Sequence, residues 1–257
     1  MKNTIDLESI RQELQQYESR LISFRKTVHE NPEVGFNTQD TLARIKSILE
    51  EFGIKGLDTE TSPGSGFLLI EGNRPGATVA LRADIDALPI EEKTECAWTS
   101  KNGNAHSCGH DGHATMGIAV CNWIQENLDQ FCGTIKVVFQ PAEEGVRGAR
   151  PMTETGIFDD VDFFFGNHLG FNLPTGTISP EPGVFLASTK LDATFTGLAA
   201  HSGADPQKGK NALLAGAAAA LAIHGITRPI GEVTALNVGT LVAGQGRNVV
   251  APNAFMQ

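Results

Sequence analysis

Apolar side chains recur at helical spacing from the start of the chain. Leu14, Leu21, Phe24 and Val28 share one face of a stretch running over residues 6–29, which predicts an amphipathic helix. Pro32 and Gly35 in "HENPEVGF" end it. A second helical period covers 38–52, with Gly53 as its stop signal. Two short apolar runs of strand length follow, "GFLLIEG" at 66–72 and "ATVALRAD" at 77–84. "DGHATMGIAVCNWIQENL" at 111–128 reads as a helix with Asp111 near its first turn. "GTIKVVFQ" at 133–140 is a buried-type strand, and "VDFFFGNH" at 161–168 predicts another. Strands alternating with helices predict an α/β domain with a mostly parallel sheet.

The pattern changes near residue 187. "KLDATFTG" at 190–197 alternates like a half-exposed strand, and 208–225 is a long Ala-rich helical run. "TALNVGTLVAG" and "RNVVAPNAFMQ" return to strand character. A smaller α+β module is expected here, dividing the chain into 1–186 and 187–257. The sequence stops at Gln257 inside a strand-like run with no polar tail, the pattern expected of an interrupted domain.

Composition narrows the partners. The chain has 257 residues, 40% of them hydrophobic, enough to bury a core. Its net charge of −10 argues against nucleic acid or an anionic membrane as a main partner. The N-terminus has no apolar signal core, and the uncharged run "NALLAGAAAALAIHGI" is too short and too rich in alanine to span a bilayer. A cytoplasmic protein is expected. The four cysteines, Cys96, Cys108, Cys121 and Cys132, form no CxxC pair and are expected as reduced thiols. Cys108 alone has ligand types around it.

Candidate chemistry collects at the ends of predicted strands, where active sites of open α/β sheets form. Asp84 and Asp86 lie in "RADIDALP", Glu143 and Glu144 in "FQPAEEG", and His168 in "FGNHLG". "SCGHDGH" adds Cys108, His110, Asp111 and His113 at a helix start. By itself this heptad fits either a metal grip or an Asp-capped helix start with solvated histidines. In an extended backbone, residues two apart point the same way, so Cys108 and His110 can reach one ion or two adjacent ones. The adjacent Glu143 and Glu144 follow a buried-type strand and Pro141. One carboxylate of such a pair can bind metal while its neighbour handles protons. Thiolate, imidazole and carboxylate together suit Zn²⁺, Mn²⁺, Co²⁺ or Ni²⁺. That donor set supports metal-assisted hydrolysis with a carboxylate as proton carrier. The chain shows no nucleophile elbow, phosphate loop or dinucleotide fingerprint.

Taken together, "HENPEVGF", "LRADIDALPIEE", "SCGHDGHATM", "FQPAEEG", "GNHLG", "FTGLAAHSGADPQKGKNALLA" and "GRNVVAP" resemble the M20 metallopeptidase family, in its amidohydrolase branch. The resemblance runs from residue 29 to the end. It implies a mostly parallel-sheet metallohydrolase domain carrying a smaller inserted α+β lid or dimerisation domain. Cys108, His110, Glu144 and His168 would be metal ligands and Glu143 the general base. Asp84 and Asp86 would support the site from behind the ligands. His201 would reach an active site, that of a dimer partner, and polarise the substrate carbonyl or stabilise the oxyanion, while Arg247 and Asn248 would hold a substrate carboxylate. The implied cofactor is Mn²⁺ or Zn²⁺, up to two ions in a complete protein. The implied substrate is a small amide whose amine half is an amino acid with a free carboxylate, N-acyl or N-aroyl. The partner would be a second copy through the lid, or a second, different chain. Family members are longer, and a last ligand histidine is expected from a segment beyond Gln257. A general N-acyl-amino-acid deacylase and a non-catalytic fragment or binding partner stand as alternatives.

Overall fold

The computed structural model describes residues 6–145, 147–170, 174–179, 188–227 and 234–257. Its contacts divide into two compact units, Met1–Thr175 and Gly176–Gln257. The boundary expected at 186/187 lies outside the described residues.

The first unit opens with two helices, α1 (Leu7–Gln15) and α2 (Glu18–Glu30). Asp6 caps α1 by accepting the Glu8 N–H at 3.1 Å. The single helix expected over 6–29 is therefore broken, at Gln16 and Tyr17. No Gly or Pro marks the break. Tyr17 is instead held by tertiary partners: its ring meets Phe52 edge-on at 5.1 Å, and its hydroxyl donates to Glu126. Helix α3 (Gln39–Glu51) follows, with Gly53 at φ 77° just beyond it, as the stop signal predicted.

Strands β1 (Gly66–Glu71) and β2 (Thr78–Asp84) precede the long helix α4 (His110–Glu126). Then come β3 (Thr134–Gln140), the short helix α5 (Ala149–Thr153) and β4 (Phe163–Gly166). The sheet order is β1-β3-β2-β4. β1 runs antiparallel to β3, while β3, β2 and β4 are mutually parallel. The α/β fold with a mostly parallel sheet is thus as expected.

Side-chain alternation on β3 explains the layering. Val137 and Phe139 face a core formed with Val28 of α2, Ile45 and Leu49 of α3, and Ile118 of α4. Val138 points the other way, into a smaller cluster with Phe67 and Met152. Each fully buried aliphatic side chain here contributes roughly 1.5–3 kcal/mol. β4 is the exception. Among the described residues it pairs only with β2, and Phe163, Phe164 and Phe165 are each more than half exposed.

Parallel register positions the site. Asp84 at the end of β2 sits opposite Gln140 at the end of β3, and Arg82 sits opposite Gly166 of β4. The three segments that leave these strands, 85–88, 141–145 and 167–169, therefore start from one edge of the sheet.

The second unit contains β5 (Ala193–Thr196), α6 (Ala212–His224), β6 (Leu241–Ala243) and β7 (Asn253–Met256). Its sheet is antiparallel, in the order β5-β7-β6. Helix α6 rests on this sheet through Gly216, where a Cβ would come within 2.9 Å of Leu241. That close approach explains why a glycine sits at position 216.

Candidate metal centre

The heptad at 107–113 forms no solvated helix cap. Gly109 starts α4 in the left-handed region at φ 83°, and the helix begins at His110. His110 and His113 are buried, at 1% and 0% exposure. Asp111 does not cap the helix either. Its Oδ2 is an ion-pair partner, 3.0 Å from Arg25 Nε and 3.0 Å from His29 Nδ1.

Asp86 organises the donors around it. Its backbone carbonyl accepts from His110 Nδ1 at 2.8 Å. That bond requires a proton on Nδ1, so in the neutral ring it is Nε2 that carries the lone pair a cation could use. Its carboxylate accepts two backbone N–H groups, Glu143 on Oδ1 and Glu144 on Oδ2, both at 3.0 Å. The turn carrying the two glutamates is thereby pinned to the "IDA" segment. Ala142, just before them, is held at φ 53°, a left-handed conformation that an L side chain adopts at a cost of about 1–3 kcal/mol.

The two glutamates differ in setting. The Glu143 side chain is 39% exposed and that of Glu144 17%. Cys108 Sγ, a nitrogen of His110 and a carboxylate oxygen of Glu144 lie within 4.8 Å of one another. His110 Nε2 and Glu144 Oε1 are both buried without a hydrogen-bond partner. Nε2 lies 3.4 Å from Asp84 Oδ2, 3.8 Å from Glu143 Oε2 and 4.0 Å from Glu144 Oε1. Converging ligand atoms of which two, His110 Nε2 and Glu144 Oε1, are buried without a hydrogen-bond partner are the arrangement a cation would satisfy.

Electrostatics agree. Burial pushes the Cys108 thiol up to about 12, and Glu144, Glu143 and Asp84 add to that rise. A thiolate in this field needs a cation beside it. Asp84 is shifted the other way. Burial raises its carboxyl, but His113, Arg82 and His110 outweigh burial and hold it below the usual carboxylate range.

His110 belongs to a second group as well, with Asp84, His113 and His168. His168 meets His110 edge-on at 5.8 Å and lies 4.6 Å from the His113 ring. Cys108, His110, Glu143, Glu144 and His168, the residues singled out in the sequence, are therefore brought together. His168 approaches from the His110 side and stands outside the group formed by Cys108, His110 and Glu144. Asp86 stands behind the donors, whereas Asp84 is itself a member of the second group, its Oδ2 3.4 Å from His110 Nε2.

Three further residues surround this centre. His113 bridges Asp84 and the backbone of Leu169. His29 ties Asp111 to Glu92, at 3.0 Å to each. His106 is buried among them, and desolvation drives it down to about 4. The sequence offered a signal only for His113, through its place in the heptad.

In the second unit, His201 is exposed and its Nδ1 accepts the N–H groups of Gly203 and Ala204, each at 3.2 Å. A backbone bridge joins His201 to Val249, and the Asn248 carbonyl accepts the Ser202 N–H at 2.9 Å. His201 and the segment carrying Arg247 and Asn248 are thus neighbours. Among the described residues, no helix is long and apolar enough to cross a membrane.

A partly buried thiol–imidazole–carboxylate group beside the strand ends of an α/β sheet is the arrangement expected of a metallohydrolase. The chain belongs to peptidase family M20/M25/M40, which it matches over residues 80–249. It is 36% identical to a Haemophilus influenzae protein named as a homolog of one chain of p-aminobenzoyl-glutamate hydrolase, over 93% of this chain and 67% of that protein. It is 38% identical to the corresponding p-aminobenzoyl-glutamate hydrolase chain of Escherichia coli, over 96% of this chain and 59% of the relative. Indole-3-acetyl-aspartic acid hydrolase of Enterobacter agglomerans is 44% identical, over 73% of this chain and 45% of its own length. The chain therefore spans from under half to two thirds of these relatives. Among solved structures, the aminobenzoyl-glutamate utilization protein of Klebsiella pneumoniae superposes with a TM-score of 0.75 at 30% identity, covering 96% of this chain and 67% of that one. The YXEP protein of Bacillus subtilis, described as a dinuclear metal-binding peptidase of family M20, gives 0.69 at 32% identity, covering 94% and 63%.

Proposed function

We propose that this chain is the metal-binding part of an amidohydrolase that cleaves N-aroyl or N-acyl amino acids, with p-aminobenzoyl-glutamate as substrate. The products are p-aminobenzoate and glutamate. The observation that carries this reading is the convergence of Cys108, His110 and Glu144 beside a Glu143 that is pinned by Asp86 yet open to solvent. The relatives named for p-aminobenzoyl-glutamate support the substrate.

Cys108, His110, Glu144 and His168 would hold Mn²⁺ or Zn²⁺. The chemistry such an ion supplies is Lewis-acid activation of water and of the amide carbonyl. Glu143 takes the proton of the attacking water and passes it to the amide nitrogen as the C–N bond breaks. The amine half leaves as glutamate. Asp86 keeps Glu143 and Glu144 at fixed spacing during this transfer. His201 is assigned to the developing oxyanion in the site of a dimer partner, and Arg247 and Asn248 to the substrate carboxylate. Units 1–186 and 187–257 would serve as catalytic and lid or dimerisation parts, acting in the cytoplasm as a homodimer or beside a second, different chain.

The test is metal per chain by elemental analysis of purified protein, followed by release of p-aminobenzoate. One or two equivalents with turnover is expected. A protein that neither retains metal nor cleaves the amide overturns the reading. A second reading, a broader deacylase, is favoured by the 44% identity to a hydrolase named for indole-3-acetyl-aspartate. Faster cleavage of hippurate than of p-aminobenzoyl-glutamate would select it.

A further inference from the structure

Five of the seven residues of the heptad "SCGHDGH" are not used by the donor group. Cys108 and His110 supply ligand atoms; Gly109, Gly112 and His113 do not belong to the group that Cys108 and Glu144 form. Those three residues converge on the segment that carries His168.

His113 is fully buried in the first turn of α4. Its Nε2 accepts the backbone N–H of Leu169 at 2.8 Å. A ring nitrogen that accepts a hydrogen bond is the unprotonated one, so the proton sits on Nδ1, which donates to Asp84 Oδ1. Asp84 is held in turn by Arg82, whose Nη1 lies 2.6 Å from Oδ2. Both nitrogens of His113 are engaged, and neither offers a lone pair to a metal.

The Leu169 side chain is placed by the same turn. A Cβ on Gly109 would come within 2.6 Å of Leu169 Cδ1, and one on Gly112 within 3.1 Å. Leu169 thus lies over the two glycines where any side chain would displace it. One residue earlier, His168 stacks edge-on against His113, 4.6 Å between ring centroids, and its Nδ1 bonds the Leu169 carbonyl at 2.8 Å. Among the described residues the strand leading into this segment pairs with β2 alone.

We propose that His113, Gly109 and Gly112 form a seat for Leu169 and that this seat positions His168 for metal binding. His113 is a positioning residue, a link between Asp84 and the 167–169 segment, and not a ligand. The inference rests on His168 being a ligand, as read above. Ligand geometry tolerates only about 0.5 Å of play, so a loose segment would cost affinity without any donor being lost.

Two substitutions separate the nitrogens. His113→Asn keeps a donor at the Nδ1 position for Asp84 and loses the acceptor for Leu169. His113→Gln places an acceptor at the Nε2 position and loses the donor. In metal-free protein, His113→Asn is expected to speed hydrogen exchange of the Leu169 amide about tenfold or more, with His113→Gln close to wild type. Metal affinity should fall about 10–100-fold in His113→Asn and recover largely in His113→Gln. Leu169→Ala, at a surface position, gives a variant that keeps its fold. It should speed exchange at position 169 about threefold and weaken metal binding while stoichiometry is unchanged. Unchanged exchange in metal-free His113→Asn and Leu169→Ala would overturn the seat, as would loss of a whole metal equivalent in both His113 variants. His168→Ala tests the underlying reading separately. Unaltered metal binding there would remove His168 as a ligand while leaving the exchange result standing.

Discussion

Asp86 Oδ1 accepts the backbone N–H of Glu143 at 3.0 Å from a fully buried carboxylate. A charged acceptor on a buried backbone donor contributes about 1.5–3 kcal/mol, and Asp86 holds a second such bond to Glu144. Asp86→Ala is therefore expected to destabilise the protein by about 3 kcal/mol and to weaken metal binding at least tenfold, since Glu144 loses its anchor. Thermal melts and metal titration read both effects. A variant with wild-type stability would show that the turn holds itself.

Glu143 and Glu144 should respond differently to truncation. Glu143→Ala is expected to keep its metal and lose roughly 100-fold or more in turnover, as removal of a proton carrier does. Glu144→Ala and Cys108→Ala are expected to lose metal. Elemental analysis beside single-turnover rates makes the comparison. Near-normal rates in Glu143→Ala would remove the general base from this position.

Metal binding should release a proton from Cys108. The thiol stands at about 12 when only protein groups surround it, so it is protonated at neutral pH. A cation ligated by the thiolate must displace that proton. Titrating metal into metal-free protein in weak buffer should therefore acidify the solution by about one proton per ion, and Cys108→Ser should reduce the release. Release that does not depend on Cys108 would mean the sulfur is not a ligand.

The His29–Glu92 pair sets a pH window for stability. Burial raises the Glu92 carboxyl, but bonds from Thr94, His29 and the Ser100 N–H outweigh it and bring it down to about 2. Glu92 stabilises the fold fully above its unfolded value of 4.5, and this is lost as pH falls toward 2. Burial lowers His29, yet Glu92 and Asp111 raise it above 6.5 overall. Its contribution is full below 6.5 and is lost as pH rises through the folded value. Denaturant unfolding of wild type and Glu92→Gln should thus differ most between 4.5 and 6.5, with the gap narrowing on both sides. A gap that keeps widening above neutrality would contradict the sign of the His29 shift.

The order of helices and strands was legible because core-facing positions recur with the period of each element. Val28, Ile45 and Phe139 are buried where the pattern put them. The donor residues were legible too, as ligand types concentrated at strand ends. Two things were not. The break at Tyr17 leaves no local signal, because Tyr17 is held by Phe52 and Glu126, far along the chain. The work of Asp86 and His113 depends on backbone N–H groups, which every residue but proline carries and no sequence marks.

Sequence by itself determined which side chains can bind a cation, and which short segments carry them. Tertiary structure decided which of those side chains are free to do it. Parallel register brought the ends of β2, β3 and β4 to one edge of the sheet. Hydrogen bonds across that edge then divided two histidines of one heptad, giving His110 an open lone pair and taking both nitrogens of His113. The physical reason is that a ligand is defined by an unused lone pair. Whether a lone pair is used depends on neighbours that are distant in the chain.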